Sequence, residues 1–325
     1  MTPLEYLKDI RRTLPEISRE SGCSTFFLAR TFARRYLTRR MWLGEFRSLK
    51  LYRCSGPRVR EYLLYYESER ISDRLNAGAS QEQLDAFLKK DRFNAVFRPF
   101  VRRDWLYLPD CGQAEAAALL EKHGAAFLKD CGGSRGNGIL RLEAGANMSA
   151  VWKEYGGRPF LMEAPIRQHP AMAAVNPGSV NTIRLIAARH GDNVQPIGAG
   201  LRTGGGGQVV DNFHHGGTAY PLDLDSGIVT GPGIDLEGNA VLRHPVTGHI
   251  MPGFQVPMWD RVLDTVRRAA VTVPNVGYVG WDIAVTEEGP ELIEGNINYP
   301  GNTIIQLDGP GPRKRLLDFC AREGV

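Results

Sequence analysis

The sequence predicts an α+β protein, and three observations carry the prediction. Residues 1 to about 90 space Leu, Phe, Tyr and Arg at intervals of three to four with few β-branched runs, which is the period of helices. From His123 onward the texture changes to short β runs separated by glycine turns. Near the end, GWDIAVTEEGPELIEGNINYPG (280–301) reads as two strands joined by a turn at 287–290. At 325 residues, 42% of them hydrophobic, the chain can bury a sizeable core, as one large unit or two to three smaller domains.

Within the helical segment, residues 24–42 (STFFLARTFARRYLTRRMW) alternate apolar and basic side chains and predict an amphipathic helix. Residues 1–60 hold 14 Lys and Arg against 5 Asp and Glu, although the whole chain is only +4. The simplest reading buries the apolar face and leaves the arginines in water; the alternative is contact with an anionic membrane or polysaccharide. Nothing in the sequence points to nucleic acid. A second short helix is expected at 81–90, followed by an aromatic-rich stretch at 93–108. Strands are expected at 126–129, 139–142, 159–163, 181–189, 195–202, 219–224 and 278–286. A helix is expected at 259–270, where Val262, Leu263 and Val266 share a face. Residues 204–207 are four consecutive glycines and predict a mobile loop. The five cysteines are scattered without ligand spacing, and no stretch approaches the ~20 apolar residues of a membrane span. A soluble, cytoplasmic protein is expected.

Chemistry concentrates in two places. In the 280–301 hairpin, strand alternation puts Asp282 on one face, and a short turn sets it roughly opposite Glu294, with Asn296 two residues further on. Two carboxylates and an amide oxygen on one face repel one another unless a hard cation sits between them, and Mg2+ suits such a set. A solvent-facing acidic strand is the alternative. The second place is FLKDCGGSRGNGILRL (127–142), a strand, a glycine-rich loop and another strand. Gly132, Gly133, Gly136 and Gly138 let the backbone bend closely over a ligand, so that N–H groups and Ser134 can face phosphate oxygens, and Lys129 supplies a cation. The motif is neither a Walker loop nor a dinucleotide fingerprint, and the strand that follows it makes the loop a hairpin lid.

A Lys-bearing strand and glycine loop in the middle, with a D…ExN hairpin near the end, resembles the ATP-grasp superfamily. The chain looks most like its sugar-transfer-associated group, on the strength of PFLMEAPIRQHP (159–170) and NPGSVNTIRLIAAR (176–189), and more distantly like ribosomal-protein glutamate ligases. The resemblance implies two α+β lobes clasping ATP behind a helical segment: 1–90 helical, 91–162 the small lid lobe, and 163–325 the large lobe. It implies that Lys129, Gly133, Ser134 and Arg135 contact the nucleotide phosphates, and that the main chain of Glu163, Ala164 and Ile166 reads the adenine. Gln168 or His169 then lies near the ribose. Arg184, Arg202 and Asn212 match catalytic positions beside the phosphates or acyl group, and Asp282, Glu294 and Asn296 hold two Mg2+ ions, with Mn2+ as an alternative. Where the family has an earlier nucleotide-binding lysine, this chain reads KKDRFNAVF; Arg92 is assigned to that position, with Lys90 as the alternative.

The implied reaction is an ADP-forming ligation. A small-molecule carboxylate is activated as an acyl phosphate and passed to an amine or thiol, with an amino acid or sugar acid as the expected substrate class. His214 or His215 is a candidate base. The alternatives are a kinase acting on a hydroxyl and a nucleotide-binding protein without turnover. A cysteine or serine hydrolase finds little support, since no GxSxG is present and Cys131 lies next to the glycine loop at a spacing that suits packing.

Overall fold

The computed structural model describes residues 2–133, 138–205, 216–298 and 300–325. Helices come first because caps and apolar spacing agree there. Helix α1 (Pro3–Ser21) starts in a capping box between Thr2 and Glu5 and ends where Gly22 turns left-handed at φ 72°. Helix α2 (Thr25–Arg39) starts under Ser24, whose side chain accepts from the Phe27 amide, and turns Leu28 and Phe32 inward. Two short helices, α3 (Leu43–Ser48) and α4 (Gly56–Val59), close a core that includes Ile17, Met41, Phe46 and Leu51. The buried Glu45 carboxylate accepts from the Trp42 amide (2.9 Å) and the Tyr65 amide (2.6 Å), so one side chain caps both α3 and α5 (Tyr65–Leu75).

From α5 onward the helices pack elsewhere. Ile71 and Leu75 of α5 share a cluster with Ile186 and Tyr278. Helices α6 (Gln81–Leu88) and α7 (Lys90–Val96) bring Phe87, Phe93 and Phe97 against Trp281, with the Phe97 and Trp281 rings 5.3 Å apart. The first 90 residues therefore serve three cores, with the first change near residue 63, whereas sequence pattern alone suggests one helical segment.

A four-stranded antiparallel sheet follows, made of β1 (Trp105–Tyr107), β2 (Ala125–Asp130), β3 (Ile139–Glu143) and β4 (Phe160–Glu163) in the order β1-β4-β2-β3. Helices α8 (Gln113–His123) and α9 (Met148–Tyr155) cover it through Leu119, Leu120 and Trp152 against Leu128 and Met162. Helix α10 (Pro170–Val175) leads into a seven-stranded antiparallel sheet. Its strands are β5 (Thr182–His190), β6 (Asn193–Thr203), β7 (Thr218–Leu222), β8 (Gly233–Ile234), β9 (Ala240–Val241), β10 (Tyr278–Val285) and β11 (Pro290–Asn296). They lie in the order β11-β10-β5-β6-β7-β8-β9. One face buries Ile183, Leu185, Trp281 and Ile283 against α11 (Trp259–Ala270) and α7. The other face packs Ile186, Ile197 and Tyr278 against α5 and α12 (Pro312–Glu323), and it also carries the polar residues described below.

One buried side chain ties the two sheets together. The Arg103 guanidinium donates to Glu163 of β4 (2.8 Å), and to both the Glu291 carboxylate (2.7 Å) and the Leu292 carbonyl (2.9 Å) of β11. Glu163 also accepts from Asn94 of α7 (2.7 Å) and pairs with Lys129 of β2. Burial alone would raise the Glu163 carboxyl and lower Arg103; the mutual charges reverse both, holding Glu163 below its usual range and Arg103 above. Replacing Arg103 with Met leaves two buried carboxylates, Glu163 and Glu291, without their shared guanidinium between the two sheets. The expected loss is about 3–5 kcal/mol, read as a lowered urea midpoint. Recovery of stability when Glu163→Gln and Glu291→Gln are added would confirm that unpaired charge is the cause; an unchanged midpoint in Arg103→Met would refute the role given to this node.

Candidate functional site

The β10–β11 hairpin pairs Val285 with Pro290, Ala284 with Glu291 and Ile283 with Leu292, and then slips. A bulge at Ile293 sets Asp282 opposite Glu294. Continued regular pairing would have put Ile293 there and turned the two carboxylates to opposite faces. Asn296 lies opposite Gly280, on the same face as Glu294, and donates its amide to Glu294 Oε1 and the Gly280 carbonyl, both at 3.3 Å. Its Oδ1 accepts no hydrogen bond among the described residues.

The neighbouring strands add positive charge to this face. Arg184 of β5 is the register partner of Asp282 and grips it through both oxygens, Nε to Oδ1 at 2.5 Å and Nη2 to Oδ2 at 2.9 Å. Arg202 of β6 reaches Asp282 Oδ2 at 3.1 Å and Thr182 Oγ1 at 3.1 Å. Burial would raise the Asp282 carboxyl, but Arg184 and Arg202 hold it at about 2. Glu294 goes the other way: burial and the nearby Asp282 charge both raise it.

Space on this face comes from missing side chains. The chain after β11 folds back across the sheet, and a Cβ at Gly280 would stand 2.2 Å from the Pro300 carbonyl. At Gly200 it would meet Ile304 at 2.4 Å. This close crossing lets Arg184 Nη1 reach the Pro300 carbonyl at 3.1 Å, a third anchor on the guanidinium.

The base of the glycine loop, where β2 ends and β3 begins, lies near the same region through Lys90. Strands β2 and β3 form its two arms, with Lys129 opposite Ile139. Lys90, at the start of α7, donates to the Asp130 carbonyl (2.9 Å) and to the Gly133 carbonyl, pinning the loop's entry. Burial lowers the Lys90 pKa, opposed first by the charge of Glu294, and the nearby Lys129 lowers it further. The loop base and the acidic hairpin thus act on one lysine. Ser134, Arg135, Asn212, His214 and His215 lie outside the described residues.

Several expectations need correction. Arg92 points outward, its side chain 68% exposed and 3.6 Å from its neighbour Asp91, so Lys90 is the cation that lies by the loop. Gln168, expected near a ribose, is engaged within the protein. Its amide donates to the carbonyls of Asn176 (2.8 Å) and Ser179 (3.0 Å), and its oxygen accepts twice from Asn181, which exhausts its capacity. His169 Nδ1 accepts from the Ala171 amide and so caps α10. The Ala164 amide is engaged by the Asp104 carbonyl (2.9 Å), whereas the Ile166 amide has no hydrogen-bond partner among the described residues. Sequence reasoning missed Arg103, Asn94 and Glu291 altogether: an Arg-Arg-Asp run after an aromatic stretch carries no local mark of a partner 188 residues away.

All three donors at the hairpin are hard oxygens, two of them carboxylates close enough for each to shift the other's proton affinity. That donor chemistry fits Mg2+.

The chain was compared with known proteins. Curated proteins returned no match. Similar solved structures include N5-carboxyaminoimidazole synthase from Aspergillus clavatus in complex with ADP and 5-aminoimidazole ribonucleotide, at 13% identity over 73% of this chain and 51% of that one, TM-score 0.44. They also include the ATP-grasp ligase PsnB complexed with minimal precursor, Mg and ADP (15% identity, 76% and 62%, TM-score 0.45). A third is the D-alanine-D-alanine ligase from Coxiella burnetii (15%, 79% and 65%, TM-score 0.44). The chain spans about half the length of the first and under two thirds of the other two. The family profile described as sugar-transfer associated ATP-grasp matches residues 118–321, which takes in the glycine loop, both arginine-bearing strands and the acidic hairpin. The chain belongs to the sugar-transfer associated ATP-grasp family.

Proposed function

We propose that the protein is a Mg2+- and ATP-dependent ligase that joins a carboxylate to an amine or thiol through an acyl phosphate and releases ADP. The observation that carries the reading is the position of Lys90, which holds the glycine loop at Asp130 and Gly133 while the Glu294 carboxylate acts on its charge. Nucleotide phosphates under the loop then meet the oxygen donors of the hairpin, in an order along the chain that suits a small lobe at 91–162 closing on a large lobe at 163–325.

In this reading the substrate carboxylate attacks the γ-phosphorus, the bond to the β,γ-bridging oxygen breaks, and ADP leaves. The nucleophile adds to the acyl carbon, phosphate departs, and the proton of the nucleophile passes to solvent or a nearby base. Lys90 and Lys129 offset the phosphate charge, with Lys129 held in place by Glu163. Arg184 and Arg202 present guanidinium edges where the acyl oxygen gains charge, and the Asp282 carboxylate fixes their orientation. Asp282, Glu294 and the Asn296 carboxamide oxygen would hold Mg2+, which when bound neutralises phosphate charge. The Ile166 amide is left to read the adenine edge.

ADP release is expected only when ATP and Mg2+ are joined by a carboxylate and a nucleophile, with amino acids and sugar acids as the first panel. Hydroxylamine in place of the nucleophile yields a hydroxamate; a phosphorylated hydroxyl product without hydroxamate identifies a kinase and overturns the ligase reading. Glu294→Gln lowers turnover at least about a hundredfold with unchanged far-UV circular dichroism, and full activity in that variant contradicts the metal assignment. Lys90→Ala weakens ATP binding at least about tenfold in calorimetry, against a change under about twofold for Arg92→Ala. The reverse order would restore Arg92 to the site.

A further inference from the structure

The outer face of α2 has no role in the cleft, and its composition is unusual for a face left in water. Phe26 is 79% exposed and Leu37 is 80% exposed, eleven residues apart and hence within about 20° of each other around the helix. Ala33, Arg30 and Arg34 fall between them on the same side, and all three are exposed. Phe27 and Trp42 add further exposed aromatic surface at the two ends of the helix. Leu28 and Phe32 on the opposite side already fill the N-terminal core, so the outward apolar residues are surplus to folding.

The charges are sorted in the same way. Residues 21–44 contain five arginines and no acidic residue. Two of the five are used internally: Arg35 donates to the Cys54 carbonyl at 2.6 Å, and Arg39 pairs with Glu67 at 3.5 Å. Arg30 and Arg34 make no ion pair among the described residues. Two large apolar side chains about 16 Å apart along one helix, with unpaired guanidinium groups between them, match a surface that offers hydrocarbon beneath a layer of negative charge. Phe26 and Leu37 enter the acyl boundary, Arg30 and Arg34 stay at headgroup phosphates, and Trp42 rests at the interface. A soluble acidic polymer satisfies only the arginines and leaves the apolar side chains in water. Among the described residues no helix is long and apolar enough to cross a membrane, so the contact lies along the surface.

We propose that α2 docks the protein on an anionic lipid bilayer through Phe26, Arg30, Arg34 and Leu37. The test is sedimentation of the whole chain with vesicles made of equal parts phosphatidylcholine and phosphatidylglycerol, beside pure phosphatidylcholine and soluble dextran sulfate. The protein is expected to sediment with the mixed vesicles, to bind pure phosphatidylcholine at least about tenfold more weakly, and to be released by salt. The double variant Phe26→Ser and Leu37→Ser should lose about tenfold or more in partitioning with unchanged circular dichroism. Arg30→Gln with Arg34→Gln should abolish the preference for the anionic vesicles. Failure to sediment, unchanged sedimentation of the serine variant, or binding to dextran sulfate without binding to vesicles would each overturn the proposal.

Discussion

The buried contact between Arg103 and the carboxylates of Glu163 and Glu291 sets where the two sheets meet. A single guanidinium reaches β4 with one edge and β11 with another, and Asn94 braces Glu163 from α7. Because Glu163 also holds Lys129, the position of a cation at the loop is coupled to the lobe junction. Ion pairs removed from water are stable only when every charge is answered, and this one is answered on all sides but the Arg103 Nε. The junction is therefore specific in geometry: a shift of either sheet strands a charge.

The acidic face is built by a different device. Antiparallel pairing fixes Asp282 beside Arg184, and one extra residue at Ile293 brings Glu294 onto the same face. Glycines at 200 and 280 then let the following segment cross close above the sheet and wall the site on one side. Polar groups gather there because the opposite face is committed to Trp281, Ile283 and α11. The same two arginines neutralise Asp282, so the charge of that buried carboxylate is answered within the protein.

Much of this was legible in the sequence, for identifiable reasons. The hairpin and the strand–loop–strand around Lys129 have local periods and turn residues, and the structure forms them at the expected places, as it does the helix Trp259–Ala270. The strand β1 is only three residues long and gave no period, and α8 is rich in alanine with little contrast between its faces. Choosing between Lys90 and Arg92 was a question of helical phase. Residues two apart on a helix point about 200° apart, and the phase of α7 is set by Phe93 and Phe97 packing on Trp281, a contact made across the fold. The role of Gln168 was hidden for a similar reason, since its four hydrogen bonds come from three residues of a loop that folds back on it.

The central claim is that a carboxylate oxygen of the substrate bonds to the γ-phosphorus before the nucleophile attacks. Tracing a carboxylate labelled with oxygen-18 through one turnover tests it directly. The account predicts one labelled oxygen in the released phosphate for each product formed. Phosphate without label, alongside normal product, would contradict it.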